Sequence, residues 1–254
     1  MKITRALVPS LFTVLNLFSG FSSIVYASQG DLHTAAWFII VAAACDALDG
    51  IMARLTKSSS EFGTQFDSLA DMVSFGAAPG LLAFRAFLYQ FNGLGVLLSS
   101  LVMIFGGIRL ARFNVQLVGF DKDFFRGLPI PVSAMLISSF VLSYYRDLAG
   151  LTTTAGFFLA ALMLVVSALM VSRLKYDTLP KFTRRDIRKH PLRFSLFLAA
   201  AGVILGSGGS QLFAVFVAYA ATGPLRALVT AIRHAVHPEE REAAEEQELS
   251  SMDL

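Results

Sequence analysis

Four aspartates and one arginine interrupt two neighbouring apolar stretches, in the string Asp46-x2-Asp49-Gly50-x2-Ala53-Arg54-x8-Gly63-x3-Asp67-x3-Asp71. In a helix, residues three, four and seven apart share a face. Asp46, Asp49, Gly50 and Ala53 therefore form one stripe, and Gly63, Asp67 and Asp71 a second. The short segment 56–62 between them predicts antiparallel neighbours. Counting from Leu55, Asp49 and Asp46 lie roughly 9 and 13 Å deep; from Gly63, Asp67 and Asp71 lie roughly 6 and 12 Å deep. The matched levels predict four carboxylates converging in one pocket.

Left alone, such acids repel one another and take up protons. Divalent cations resolve this, and all-oxygen ligation suits Mg²⁺ or Mn²⁺ over zinc or copper. Two ions held about 3.5–4 Å apart clamp an in-line displacement at phosphorus. Gly50, Ala53 and Gly63 leave room for a bulky ligand, and Arg54 can fork onto phosphate oxygens. A structural ion-pair cluster would need about as many bases as acids, and only Arg54 is near. A cation or proton pathway stays open, because acids inside a membrane mark those as well. Its usual companion, paired broken helices in a repeat, is not apparent.

The elements that must hold these residues are membrane spans. The 254-residue chain is 55% hydrophobic and 15% charged, with a mean hydropathy of +0.64. Soluble domains run at about 45–50% apolar and about 25% charged. Eight apolar stretches are legible, at 8–28, 33–55, 64–90, 93–113, 129–146, 152–173, 192–207 and 209–232. Most approach the roughly 20 residues that cross a bilayer as helix. The expected fold is an all-α polytopic transmembrane bundle of about eight spans. The expected division is a membrane-embedded catalytic domain over 1–237 and an acidic tail over 238–254.

With the N-terminus placed in the cytoplasm and the spans alternating, 19 of the 21 basic residues fall inside, Arg85 and Arg146 being the exceptions. That bias sets orientation and puts the aspartates at the inner face of a cell membrane. The basic segment 173–193 can attract anionic lipid or serve as a topology signal alone. Nothing points to nucleic acid. Cys45 is the single cysteine, which rules out an internal disulfide; beside Asp46 it reads as a small packing residue. Met1-Lys2 leads into an apolar stretch with no small-residue cleavage site, so no secretory signal is expected.

The motif matches, without gap or substitution, the signature of the CDP-alcohol phosphotransferase family, which the chain resembles. Further strings resemble that family's serine-using bacterial and archaeal branch. These are PSLFTVLNLFSG at 9–20, with Ser10 where Asn is usual, IRLARFNV at 108–115 and FFRGLPIPVSAM at 124–135. The likeness covers roughly residues 8–145. It implies a six-helix core, often dimeric, and transfer of a phosphatidyl group from CDP-diacylglycerol to the hydroxyl of L-serine, releasing CMP. Other acceptors (glycerol 3-phosphate, inositol phosphate, choline) share the motif.

Carried over residue by residue, the resemblance implies that Asp46 and Asp67 bridge two divalent ions, with Asp49 completing one site and Asp71 the other. It implies donor contacts from Gly50, Ala53, Arg54, Ser60 and Gly63, and from Thr13 and Asn16 on span one. Asp71 would be the general base, since an alcohol is a poor nucleophile without one. The acceptor's carboxylate calls for a guanidinium fork. Arg109, Arg112 and Arg126, with Asn114, are the candidates, and all of them also serve as positive-inside anchors. Pro129 and Pro131 are expected to fix the start of span five, and Pro79-Gly80 to kink span three.

Overall fold

A computed structural model describes residues 3–56, 61–116, 124–177 and 211–236. The described residues form α1 (Ile3–Gln29), α2 (Leu32–Thr56), α3 (Glu61–Asp71), a π-helical turn (Met72–Ala77), α4 (Ala78–Ala86), a 3-10 turn (Leu88–Phe91), α5 (Gly93–Gln116), α6 (Ile130–Tyr144), α7 (Thr153–Val171) and α8 (Leu212–Val236). Helices α1, α2, α5, α7 and α8 are long and apolar enough to cross a membrane. The chain is an integral membrane helix bundle. Stretches one, two, four, six and eight of the sequence reading fall in these five helices, stretch three is divided among α3, the π-helical turn, α4 and the 3-10 turn, and stretch five is the shorter α6; 192–207 lies outside the described residues, as does the tail from 238.

The bundle is apolar on both sides of its wall, as a lipid-embedded protein must be. Phe18, Phe21, Trp37, Phe157, Phe158 and Leu228 face outward. The interior is built around α4 and α6, with Phe75, Leu82, Ile137, Leu159 and Met163 fully buried. Small residues let the backbones approach. A Cβ on Gly80 would stand 2.7 Å from the Ser99 carbonyl of α5, and one on Gly20 would overlap Ser74. Buried Ser138 and Ser139 return their hydroxyls to carbonyls of their own helix, at 2.8 Å from Ala134 and 2.5 Å from Met135.

The turns carry their own instructions. Gly30, at φ +92°, ends α1. Its N–H reaches the Ala27 carbonyl (3.1 Å) and that of Asp31 the Tyr26 carbonyl (3.0 Å). This Schellman pairing favours glycine at the left-handed position. Asp31 Oδ1 then accepts from Thr34 N (3.0 Å) and caps α2. Pro129 is the N-cap of α6, with Pro131 in its first turn, as the sequence predicts.

Span three is broken, although not where its proline alone would put the break. The π-helical turn begins at Met72, directly after Asp71, and Pro79 sits in the first turn of α4. Proline has no N–H to donate and crowds the carbonyl four residues back, here that of Phe75. The wider turn absorbs both defects upstream of the proline, and such turns are common at functional sites. One further element has no counterpart in the sequence reading. Phe124–Arg126 (β1) and Lys175–Asp177 (β2) pair as an antiparallel ribbon, with Phe125 opposite Tyr176. Tyr176 is fully buried and donates to the Ala220 carbonyl of α8 (3.2 Å). Burial pushes its phenol up to about 12, so it remains a neutral donor tying the ribbon to α8.

Candidate active site

The two acidic stripes lie on α2 and α3, and α1 packs against both helices. Ligand oxygens of Asp46, Asp67 and Asp71 all lie within 4.8 Å of one another. Asp49 adjoins this triad and interacts electrostatically with Asp46 and Asp67. It is turned toward α1, where Thr13 Oγ1 donates to its Oδ2 at 2.7 Å. Asn16, one turn further along α1, donates from Nδ2 to Asp71 Oδ1 at 3.0 Å. The two α1 residues thus each hold one acid, one on α2 and one on α3.

The cluster is poorly supplied with protein donors for its oxygens. Asp49 and Asp71 are only 9% and 8% exposed. Asp49 Oδ1 and Asp67 Oδ1 are buried and have no hydrogen-bond partner among the described residues. A buried carboxylate oxygen left so costs on the order of 1–3 kcal/mol or more. Oxygens that accept only, gathered in one place, are what a hard divalent cation requires. The donor set therefore fits such an ion, with Asp46, Asp67 and Asp71 as the ligands the geometry brings together.

The surroundings divide the remaining candidates. Gly50 is exposed, and a Cβ added there would meet nothing within 4 Å among the described residues. Ala53 and Gly63 are half-buried on the same two helices. Ser60 and the side chains of Arg54 and Arg126 lie outside the described residues. On α5, Arg109 is half-buried and electrostatically coupled to Asp71 and to Tyr219 of α8. Arg112 instead donates to the Val171 carbonyl at the end of α7 (3.4 Å). Asn114 donates to Ser68 Oγ on α3 (3.0 Å). The three acceptor candidates whose side chains are described thus point to different neighbours, and Arg109 is the one of them coupled to an acid of the cluster.

Two participants escape the sequence reading. Ser74, in the π-helical turn, donates to the backbone carbonyl of Asn16 (2.9 Å). Tyr219, on α8, interacts electrostatically with Arg109. Neither belongs to a spacing pattern. The only signal for Ser74 is its place one turn after Asp71, and nothing in the sequence connects Tyr219 to α5.

A CDP-alcohol phosphatidyltransferase family model matches residues 6–172, a stretch that contains every acid of the cluster as well as Thr13, Asn16 and Arg109. The chain belongs to that family. A CDP-diacylglycerol–serine O-phosphatidyltransferase of Helicobacter pylori is 42% identical over 177 residues, covering 69% of this chain and 73% of the relative. An archaetidylserine synthase of Methanothermobacter thermautotrophicus is 40% identical over 179 residues, covering 69% and 72%. A CDP-diacylglycerol–serine O-phosphatidyltransferase of Bacillus subtilis is 29% identical over 180 residues, covering 71% and 95%.

Proposed function

We propose that the chain transfers a phosphatidyl group from CDP-diacylglycerol to the hydroxyl of L-serine, giving phosphatidylserine and CMP. The observation that carries the chemistry is the meeting of Asp46, Asp67 and Asp71 oxygens within 4.8 Å. The acceptor rests on the relatives. Those from Helicobacter and Methanothermobacter differ in the lipid their names imply but share serine.

In the reaction, the serine oxygen forms a bond to the phosphorus that bears the diacylglycerol. The bond from that phosphorus to the CMP oxygen breaks, and CMP leaves with the electron pair. Asp71 takes the hydroxyl proton as the base. Its Oδ1 accepts from Asn16 Nδ2. Asp46, Asp67 and Asp71, with Asp49 beside them, would hold two Mg²⁺ or Mn²⁺ ions. Bound there, the ions supply charge stabilisation to the pyrophosphate and the departing phosphate. Gly50, Ala53 and Gly63 give the CDP group access to the helix faces, and Arg54 and Ser60 contact the donor. Arg109 balances negative charge at the acceptor side, where a guanidinium can receive the serine carboxylate. Arg112, Asn114 and Arg126 are the other acceptor-side candidates of the sequence reading.

The active protein is a homodimer surrounded by lipid in the cell's inner membrane, with the site facing the cytoplasm, as the positive-inside pattern favours. The catalytic domain is 1–237 and the acidic tail is dispensable for chemistry. The test uses purified protein, CDP-diacylglycerol and Mn²⁺ or Mg²⁺, with serine, glycerol 3-phosphate, inositol phosphate and choline supplied singly. CMP release with serine alone is expected. Release with another alcohol and none with serine would reassign the acceptor.

A further inference from the structure

Thr13 and Asn16 are expected, by resemblance, to touch the cytidine donor. Their hydrogen bonds give them a different task. Thr13 Oγ1 donates to Asp49 at 2.7 Å, and Asn16 Nδ2 donates to Asp71 at 3.0 Å. Both side chains are buried, at 3% and 0% exposure. The i, i+3 spacing on α1 places one donor against α2 and the other against α3. Asn16 is itself held, because Ser74 Oγ donates to its backbone carbonyl at 2.9 Å. Ser74 sits in the π-helical turn that starts one residue after Asp71. Gly20, one turn beyond Asn16 on α1, packs so closely on Ser74 that a Cβ there would overlap it. A closed chain results: Asp71, the π-helical turn, Ser74, Asn16, and back to Asp71.

We infer that Thr13, Asn16 and Ser74 are positioning residues that set the orientation of Asp49 and Asp71 for metal, with the π-helical turn fixing the depth of α1. This rests on the proposed metal-dependent function. The physical reason is that a carboxylate rotates about its Cβ–Cγ bond unless one oxygen is tied. Tying Asp49 Oδ2 and Asp71 Oδ1 to fixed donors aims the opposite oxygens. Partners of this kind around metal ligands are commonly worth about 10–100-fold in metal affinity. The irregular turn also gains a purpose, since a regular helix would carry Ser74 to a different angle around the axis.

The test is Mn²⁺ binding to the purified full-length protein without lipid substrate, followed by electron paramagnetic resonance, alongside thermal stability and the KM for CDP-diacylglycerol at saturating metal. Thr13→Val and Asn16→Ala are expected to weaken Mn²⁺ binding about 10-fold or more. Ser74→Ala is expected to weaken it several-fold, and Thr13→Ser to restore it. The KM for CDP-diacylglycerol should stay within about twofold once metal saturates. Wild-type Mn²⁺ affinity in Thr13→Val and Asn16→Ala, with a raised KM for CDP-diacylglycerol, would overturn the inference and make both residues donor contacts. Wild-type protein that binds no Mn²⁺ would overturn the proposed function itself, a result separable from the first.

Discussion

The two ends of the bundle treat polar groups in opposite ways. At the end formed by the α1–α2 and α6–α7 turns, polar groups find partners. Arg85 Nε donates to the Ala27 carbonyl (3.2 Å), Asp31 caps α2, and His33 stands 3.7 Å from the exposed Asp147. At the other end, three carboxylates share one small space, and buried oxygens of Asp49 and Asp67 have no partner among the described residues. Stability alone explains the first end. It does not explain the second, since unsatisfied buried acids cost free energy. The contrast separates architecture from chemistry without reference to any relative, and the family membership then says which chemistry.

Substitutions should keep the two ends apart. Asp67→Asn, which keeps the size and removes the charge, should lower kcat/KM about 10³-fold or more. A metal site contributes several kcal/mol to such transition states. The same variant should keep or raise the melting temperature, because an unsatisfied acid is removed; steady-state kinetics and a thermal melt check both. Arg109→Gln should raise the KM for serine about 10–100-fold, with a smaller change in the KM for CDP-diacylglycerol, read from initial rates of CMP release. The loss of one charge-assisted contact is worth about 1.5–3 kcal/mol. Gly50→Ala should raise the KM for the CDP-lipid about 10-fold while stabilising the fold by up to about 1 kcal/mol, since alanine is the better helix former. Asp147→Asn, at the opposite end, should leave kinetics unchanged and shift stability by no more than about 0.5 kcal/mol. A large activity loss there would erase the distinction between the ends.

How much of this the sequence shows depends on the range of the interaction. The acidic stripes are legible because both follow helical spacing over one short connection, and hydropathy outlines the spans. Pro79 announces a break in span three, yet the π-helical turn begins at Met72, because the backbone accommodates a proline upstream of the ring. The ribbon of Phe124–Arg126 with Lys175–Asp177 is too short for alternation to be seen. The electrostatic interaction of Tyr219 with Arg109 joins the fifth and last helices of the described chain, and no local pattern encodes it. Arg109 and Arg112 show the same limit. Three residues apart and chemically identical, they look like a pair in sequence, whereas one is coupled to Asp71 and the other is bonded to the end of α7.

The central claim is that the unsatisfied acids form a metal-dependent transferase site in which Asp71 accepts the alcohol's proton. The most direct measurement is CMP release from CDP-diacylglycerol by wild-type protein and Asp71→Asn, with L-serine and Mn²⁺, and again with excess chelator. Release by wild type that needs both serine and free metal, and none above background from Asp71→Asn although it still binds CDP-diacylglycerol, is the predicted result. Undiminished release by Asp71→Asn, or by wild type in chelator, would contradict it.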